Sequence, residues 1–257
     1  MNSDSTGDRA AEIFVLHYGK AELLAAPPAE RAFFLLITQL TNDVQILWKQ
    51  VLFALNCFSS GVIERQAASA VGMLNLRLLA GRLSEGGSTL HRVYRPIRND
   101  YDPLIGDEAR HAVEMLFDLF DDRNNLLTRV RNEVGFHSDP AQALAALDDL
   151  SDDDGLGDYL SPTINNTLYW SAAMINDAVL RRITGLDQSS SLNEVMSTAQ
   201  AATAAFNRLS FGFGRVFSER HLKRGLSDLA NHREVIEEVP TVGSISLPFF
   251  CRMDEPA

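Results

Sequence analysis

PAERAFFLLITQLTNDVQILWKQVLFALNCF, residues 28–58, is the stretch that decides the fold class. Its apolar residues Leu36, Leu40, Val44, Leu47, Val51 and Leu55 step by three and four, so they share one face of a helix. Pro27 and Pro28 break the chain ahead of it. Pro28 suits a first helical turn, because the N–H it lacks is one a helix start leaves unbonded. Ser59, Ser60 and Gly61 interrupt the pattern.

The same period recurs on both sides. Residues 8–24 read as a modest first helix. A third runs from after Gly61 to Leu83 with Val71, Leu74, Leu78 and Leu79 inside, and Gly86 and Gly87 are expected to open a loop that lasts to Gly106. Asp107 and Glu108 suit the positive end of the next helix, which carries Val113, Leu116, Phe120, Leu127, Val130 and Val134 and must stop before Pro140. Asp139 and Pro140 start a short helix. Ser161-Pro162 starts one with Ile164, Leu168, Ala172, Ile175, Val179 and Ile183 inside, ending at Gly185. Ser191 and Glu194 form a capping box for a helix that buries Val195, Ala199, Ala202, Phe206 and Leu209. Gly212 and Gly214 interrupt before a last helix to His232. No internal repeat or set of strands is evident. The expected fold is all-α: an irregular bundle with long helices over 1–235, and an extended C-terminal tail over 236–257. The tail reads either as an arm onto a partner subunit or as a frayed end.

Composition narrows the function. The chain has 257 residues, 46% hydrophobic and 22% charged, as in ordinary globular proteins. The polar N-terminal residues lack a basic region before an apolar core, so no signal peptide is expected. Asp43 and Lys49 follow the short apolar run 32–37, so no membrane span is expected there. The expected location is the cytoplasm. Cys57 and Cys251 make neither a disulfide framework nor a metal site. A net charge of −11 argues against broad, nonspecific nucleic-acid binding. Positive charge is nonetheless clustered: Arg92, Arg95 and Arg98 recur every third residue around Tyr94, after His91, and Arg215, Arg220, His221, Lys223 and Arg224 form a second group. Arginine forks suit phosphates and stack on bases, so Arg92, Tyr94, Arg95 and Arg98 are candidate RNA contacts.

The chemistry-bearing motif is Arg131-Asn132-Glu133-Val134-Gly135-Phe136-His137. His137 can move protons near neutral pH. Arg131 can bind phosphate and hold transition-state charge. Asn132 can orient either group or bind ribose. As α-helix, Arg131 and His137 would lie about 9 Å apart along the axis and about 120° around it. They would then flank an apolar strip of Val113, Val130 and Val134 able to pack on a second copy.

Arg131-Asn132-x4-His137 resembles the Arg-polar-x4-His signature of the HEPN superfamily, and residues 129–139 resemble its AbiU2-like branch, linked with phage abortive infection. The resemblance implies a helical homodimer acting as a metal-independent endoribonuclease, a toxin or phage-defence effector with Arg131, Asn132 and His137 as catalytic residues at the dimer cleft. Cleavage would use the RNA 2′-hydroxyl and leave a 2′,3′-cyclic phosphate. Expected partners are RNA, a second copy and, for a toxin, an antitoxin protein; no cofactor is expected. Members neutralised by adenylylation carry Tyr two residues after the His. Asp139 stands there, so that modification is not expected. The alternative function is a noncatalytic helical RNA-binding or protein-interaction module. Glu108 and His111 have the Glu-x-x-His spacing of di-iron bundles, but the second such pair is absent, so no metal is expected.

Overall fold

The computed structural model describes residues 10–135, 140–152, 154–163, 165–222 and 233–251. Among the described residues the architecture is helical apart from one two-stranded sheet and an isolated bridge. Strand β1 (Ala11–Phe14) precedes α1 (Lys20–Ala25), α2 (Pro28–Leu55), α3 (Val62–Thr89), α4 (Arg98–Tyr101), α5 (Asp107–Asp121), α6 (Leu126–Arg129), α7 (Pro140–Asp148), α8 (Trp170–Thr184) and α9 (Gln188–Phe217); β2 (Arg233–Ile236) follows. Single π-helical turns continue α3 (Leu90–Tyr94), α6 (Val130–Gly135) and α9 (Ser218–Leu222).

The core is where α2, α3, α5 and α9 meet. Aromatic rings fill one end of it. Phe34 stacks on Phe217 at 4.3 Å, Tyr101 stacks on Phe213 at 4.3 Å, and Phe33 meets both Tyr94 and Phe213 at 4.7 Å. On α2, Leu40, Val44 and Val51 point inward as expected, but the inward set also takes Phe33, Phe34, Ile37 and Ala54. Leu36 and Leu55 face outward.

Helix α3 departs most from the sequence reading. It runs straight through Gly86 and Gly87, both buried. A Cβ on Gly86 would lie 2.7 Å from Leu40 Cδ2 and from Phe206 Cζ; one on Gly87 would lie 2.5 Å from Phe120 Cγ. The glycines mark close packing of α3 against α2, α5 and α9, not a loop. The inward face of α3 is rich in small residues, Ala67, Ala68, Gly72, Ala80, Gly81 and Ser84 among them, and the larger Leu74 and Leu78 lie outside. Gly212 and Gly214 likewise lie within α9, Gly212 against Ala109 and the Ile105 carbonyl.

Other boundaries move for local reasons. The helix expected from Asp107 to Pro140 breaks at 122–125, where polar side chains take over the backbone's bonds. Asp122 accepts from the Asn124 N–H at 2.8 Å, and Asn125 caps α6 by accepting from the Thr128 N–H at 3.0 Å. Tyr159 and Leu168 pair in an isolated bridge and Asn165 stands at φ 70°, and α8 starts only at Trp170, later than Ser161. It ends before Gly185 as expected. Helix α9 starts a turn before the expected box, capped by Asp187. Of the helix expected over 8–24, the part from Lys20 forms α1, whereas Ile13 and Phe14 pair with Glu234 and Arg233 in an antiparallel ribbon. The expected features at Asp139, Ile164 and residues 223–232 lie outside the described residues.

Residues 242–247, after β2, lie against the end of α2 in the same chain. Asn56 Nδ2 donates to the carbonyls of Val242 (2.8 Å) and Ile245 (3.1 Å), and the Leu247 N–H donates to the Phe53 carbonyl at 3.0 Å. No helix among the described residues is long and apolar enough to cross a membrane.

Candidate functional site: an arginine-lined cleft

Arg131 stands in the π-helical turn that follows α6. Its i→i+5 winding over Val130–Gly135 departs from the α-helical geometry that the sequence reading assigned to Arg131. Two contacts fix this turn to α3. Arg77 Nη1 donates to the Val134 carbonyl at 3.0 Å, and Arg131 Nη2 donates to Glu85 Oε1 at 2.7 Å. Ser84 and Thr128 share a hydrogen bond of 3.1 Å just behind. Burial holds the Arg77 guanidinium below its ordinary pKa.

Val113, Val130 and Val134 do not form a free strip. All three are buried within the chain, Val113 and Val130 in the main core and Val134 in a smaller cluster with Ala146, Ala178, Val179 and Ile183. The self-packing surface expected from the sequence is therefore filled by α3 and α8. Asn132 is exposed, and His137 lies outside the described residues.

The continuation of α3 through Gly86 and Gly87 brings the Arg92 group beside Arg131. A cleft of about 730 Å³ is lined by Glu85, Ser88, His91, Arg92, Arg95, Asp121, Arg123 and Arg131, with Gly87 and Phe120 in its lining too. Four arginines against two carboxylates make it positive in a chain of net charge −11. His91 Nε2 lies 3.6 Å from the Asp121 carboxylate, too long for a hydrogen bond, and makes none among the described residues. Its ring meets Phe117 edge-on at 5.2 Å.

Of the four candidate RNA contacts, Arg92 and Arg95 line this cleft and the other two do not. Tyr94 is fully buried, its hydroxyl donating to Asp102 at 2.6 Å, and burial first and Asp102 second push that hydroxyl's pKa up. It offers no ring face to a base. Arg98 pairs with Asp102 and lies over the Phe117 ring at 4.8 Å. The second basic group is used structurally: Arg215 donates to the Leu104 carbonyl and Arg220 to that of Asp100, and His221 bonds Glu30. Lys223 and Arg224 are outside the described residues.

Sequence reasoning did not place Glu85, His91 or Arg123 in the site. The signal for Arg123 was its Arg-Asn pairing, which it shares with Arg98 and Arg131. The described residues contain no group of three or more His, Cys, Asp or Glu able to hold a metal ion, and both cysteines are free. No family model, no curated protein and no solved structure matches this chain.

Proposed function

We propose that this chain is a metal-independent endoribonuclease of HEPN type, a toxin or phage-defence effector, and that the arginine-lined cleft receives the RNA backbone. The observation that carries the reading is the meeting of Arg92, Arg95, Arg123 and Arg131 in one cleft. Phosphodiesters bring one negative charge per nucleotide, and guanidinium forks bind them in a bidentate manner. A local positive cleft also reconciles RNA with an acidic chain, since contact is confined to one place.

In this reading Arg131 binds the scissile phosphate and holds the charge that grows on it. Asn132, one residue on and exposed, orients the ribose or the phosphate. His137 takes the proton of the 2′-hydroxyl as its oxygen attacks phosphorus and, protonated, gives a proton to the departing 5′-oxygen. The products are a 2′,3′-cyclic phosphate and a 5′-hydroxyl; no water or cofactor is consumed. A homodimer belongs to the reading, through a face other than the filled valine strip.

A second reading, a noncatalytic RNA-binding or protein-interaction module, is favoured by the ion pair that occupies Arg131 with Glu85. Incubating RNA with purified protein in EDTA separates the two. Wild type is expected to cleave and leave cyclic phosphate ends. His137→Ala and Arg131→Ala, folded as judged by their melting, are expected to lose at least 100-fold in rate. RNA bound by wild type but left intact would give the noncatalytic module instead.

A further inference from the structure

The cleft has a neighbour of opposite character. Between α2 and α3 lies a second hollow of about 610 Å³, lined by Asp43, Ile46, Leu47, Gln50, Leu78, Gly81 and Arg82 as well as Glu85 and Arg131. The Glu85–Arg131 pair lines both, so one ion pair is the wall between an apolar hollow and a basic one. The apolar side is open to solvent. Ile46 on α2 is 55% and Leu78 on α3 36% exposed, two large aliphatic residues lining one hollow. The hollow's size falls within the ~300–1,000 Å³ range of small-molecule sites. Its rim is polar: Arg82 Nε donates to Asp43 Oδ2 at 2.7 Å, and Gln50 carries an amide that can both donate and accept.

We infer that the apolar hollow between α2 and α3 is a nucleobase subsite, taking the base that adjoins a phosphate held by Arg131 and its neighbouring arginines. A nucleotide is the chemistry that matches both sides of the wall at once. Its phosphate is an anion for arginine forks, and its base is a flat, largely apolar body with a hydrogen-bonding edge. Ile46 and Leu78 cover the faces of the base, and Gln50 with the Asp43–Arg82 pair meets its edge. Arg131, shared by both hollows, sits at the junction of base and phosphate. The inference rests on the proposed function for the phosphate side and adds the base side to it.

The test compares two probes, adenosine 5′-monophosphate and ribose 5-phosphate, bound to the full chain by calorimetry at fixed salt. The nucleotide is expected to bind about tenfold more tightly than the sugar phosphate. The double variant Ile46→Asn/Leu78→Asn keeps the net charge and is expected to reduce that preference to within twofold, with ribose 5-phosphate binding as before. Arg92→Ala/Arg95→Ala is expected to weaken both probes alike. Equal affinity of the two probes for wild type would overturn the base subsite and leave the phosphate cleft standing. Binding of neither probe would overturn the base subsite together with the phosphate cleft beneath it. A preference that survives the double variant unchanged would place the base elsewhere.

Discussion

Glu85 decides what Arg131 can do. Its carboxylate holds the guanidinium at 2.7 Å, with both side chains roughly two-fifths exposed. Exposed ion pairs contribute only about 0–1 kcal/mol, so a phosphate can take Glu85's place at low cost. Glu85→Gln removes a negative charge from the walls of both hollows and frees Arg131. Ribose 5-phosphate is therefore expected to bind several-fold more tightly to this variant, measured by the same calorimetry at low salt, and the gain should shrink as salt rises. An unchanged affinity would mean that Arg131 does not take part in phosphate binding.

At the scale of elements, the close passage of α3 over its neighbours is what builds the cleft. Gly87→Ala places a Cβ 2.5 Å from Phe120 Cγ, so α3 and α5 must separate or Phe120 must change rotamer. A loss of about 1–3 kcal/mol is expected in urea unfolding, with phosphate binding weakened as well, because Phe120 also lines the cleft. The same element shows what was legible beforehand. Periodic apolar residues announce α2 and α9, since long stripes are a strong signal; on α9 the five expected inward residues are all buried, whereas on α2 only Leu40, Val44 and Val51 of the expected stripe are, and Phe33, Phe34, Ile37 and Ala54 complete the inward face. On α3 the inward face sets Leu76, Leu79 and Leu83 among many Ala, Gly and Ser, and small residues leave no stripe of large ones to read; Leu79 is inside as expected, whereas Leu74 and Leu78 face out and the glycines continue the helix in place of the expected loop. With a loop in place of a helix, nothing in the sequence could bring Arg92 to Arg131. Arg131, singled out by its spacing to Asn132 and His137, lines the cleft; Asn132 is exposed and is not part of the lining. The burial of Tyr94 was not legible, because an aromatic amid arginines reads alike on a surface and in a core.

Across the whole molecule, one carboxylate ties together segments far apart in the chain. Glu30, in the first turn of α2, accepts from Tyr101 at the end of α4 and bonds His221 Nε2 at 2.7 Å beyond α9. Burial alone would raise its pKa, but the hydrogen bonds from Tyr101 and His221, with the positive charge of His221 and Arg220, outweigh that and leave it lowered. A carboxyl lowered on folding stabilises the fold above its unfolded pKa, about 4.3, and loses that contribution as pH falls through the folded value. Glu30→Gln is expected to cost about 1–3 kcal/mol at neutral pH, and its deficit against wild type should close below pH 4 in thermal or urea unfolding. A deficit that stays constant with pH would assign the loss to packing. The ribbon of β1 and β2 joins still more distant parts: Phe14 pairs with Arg233, and Glu12 with Arg233 at 3.0 Å, about 220 residues apart. During synthesis at roughly 5–20 residues per second, the first strand waits roughly 10–45 s for its mate. Through that interval Ile13 and Phe14 have no ladder to join, so the nascent chain carries a sticky edge that a ribosome-bound chaperone would meet before its own second strand does.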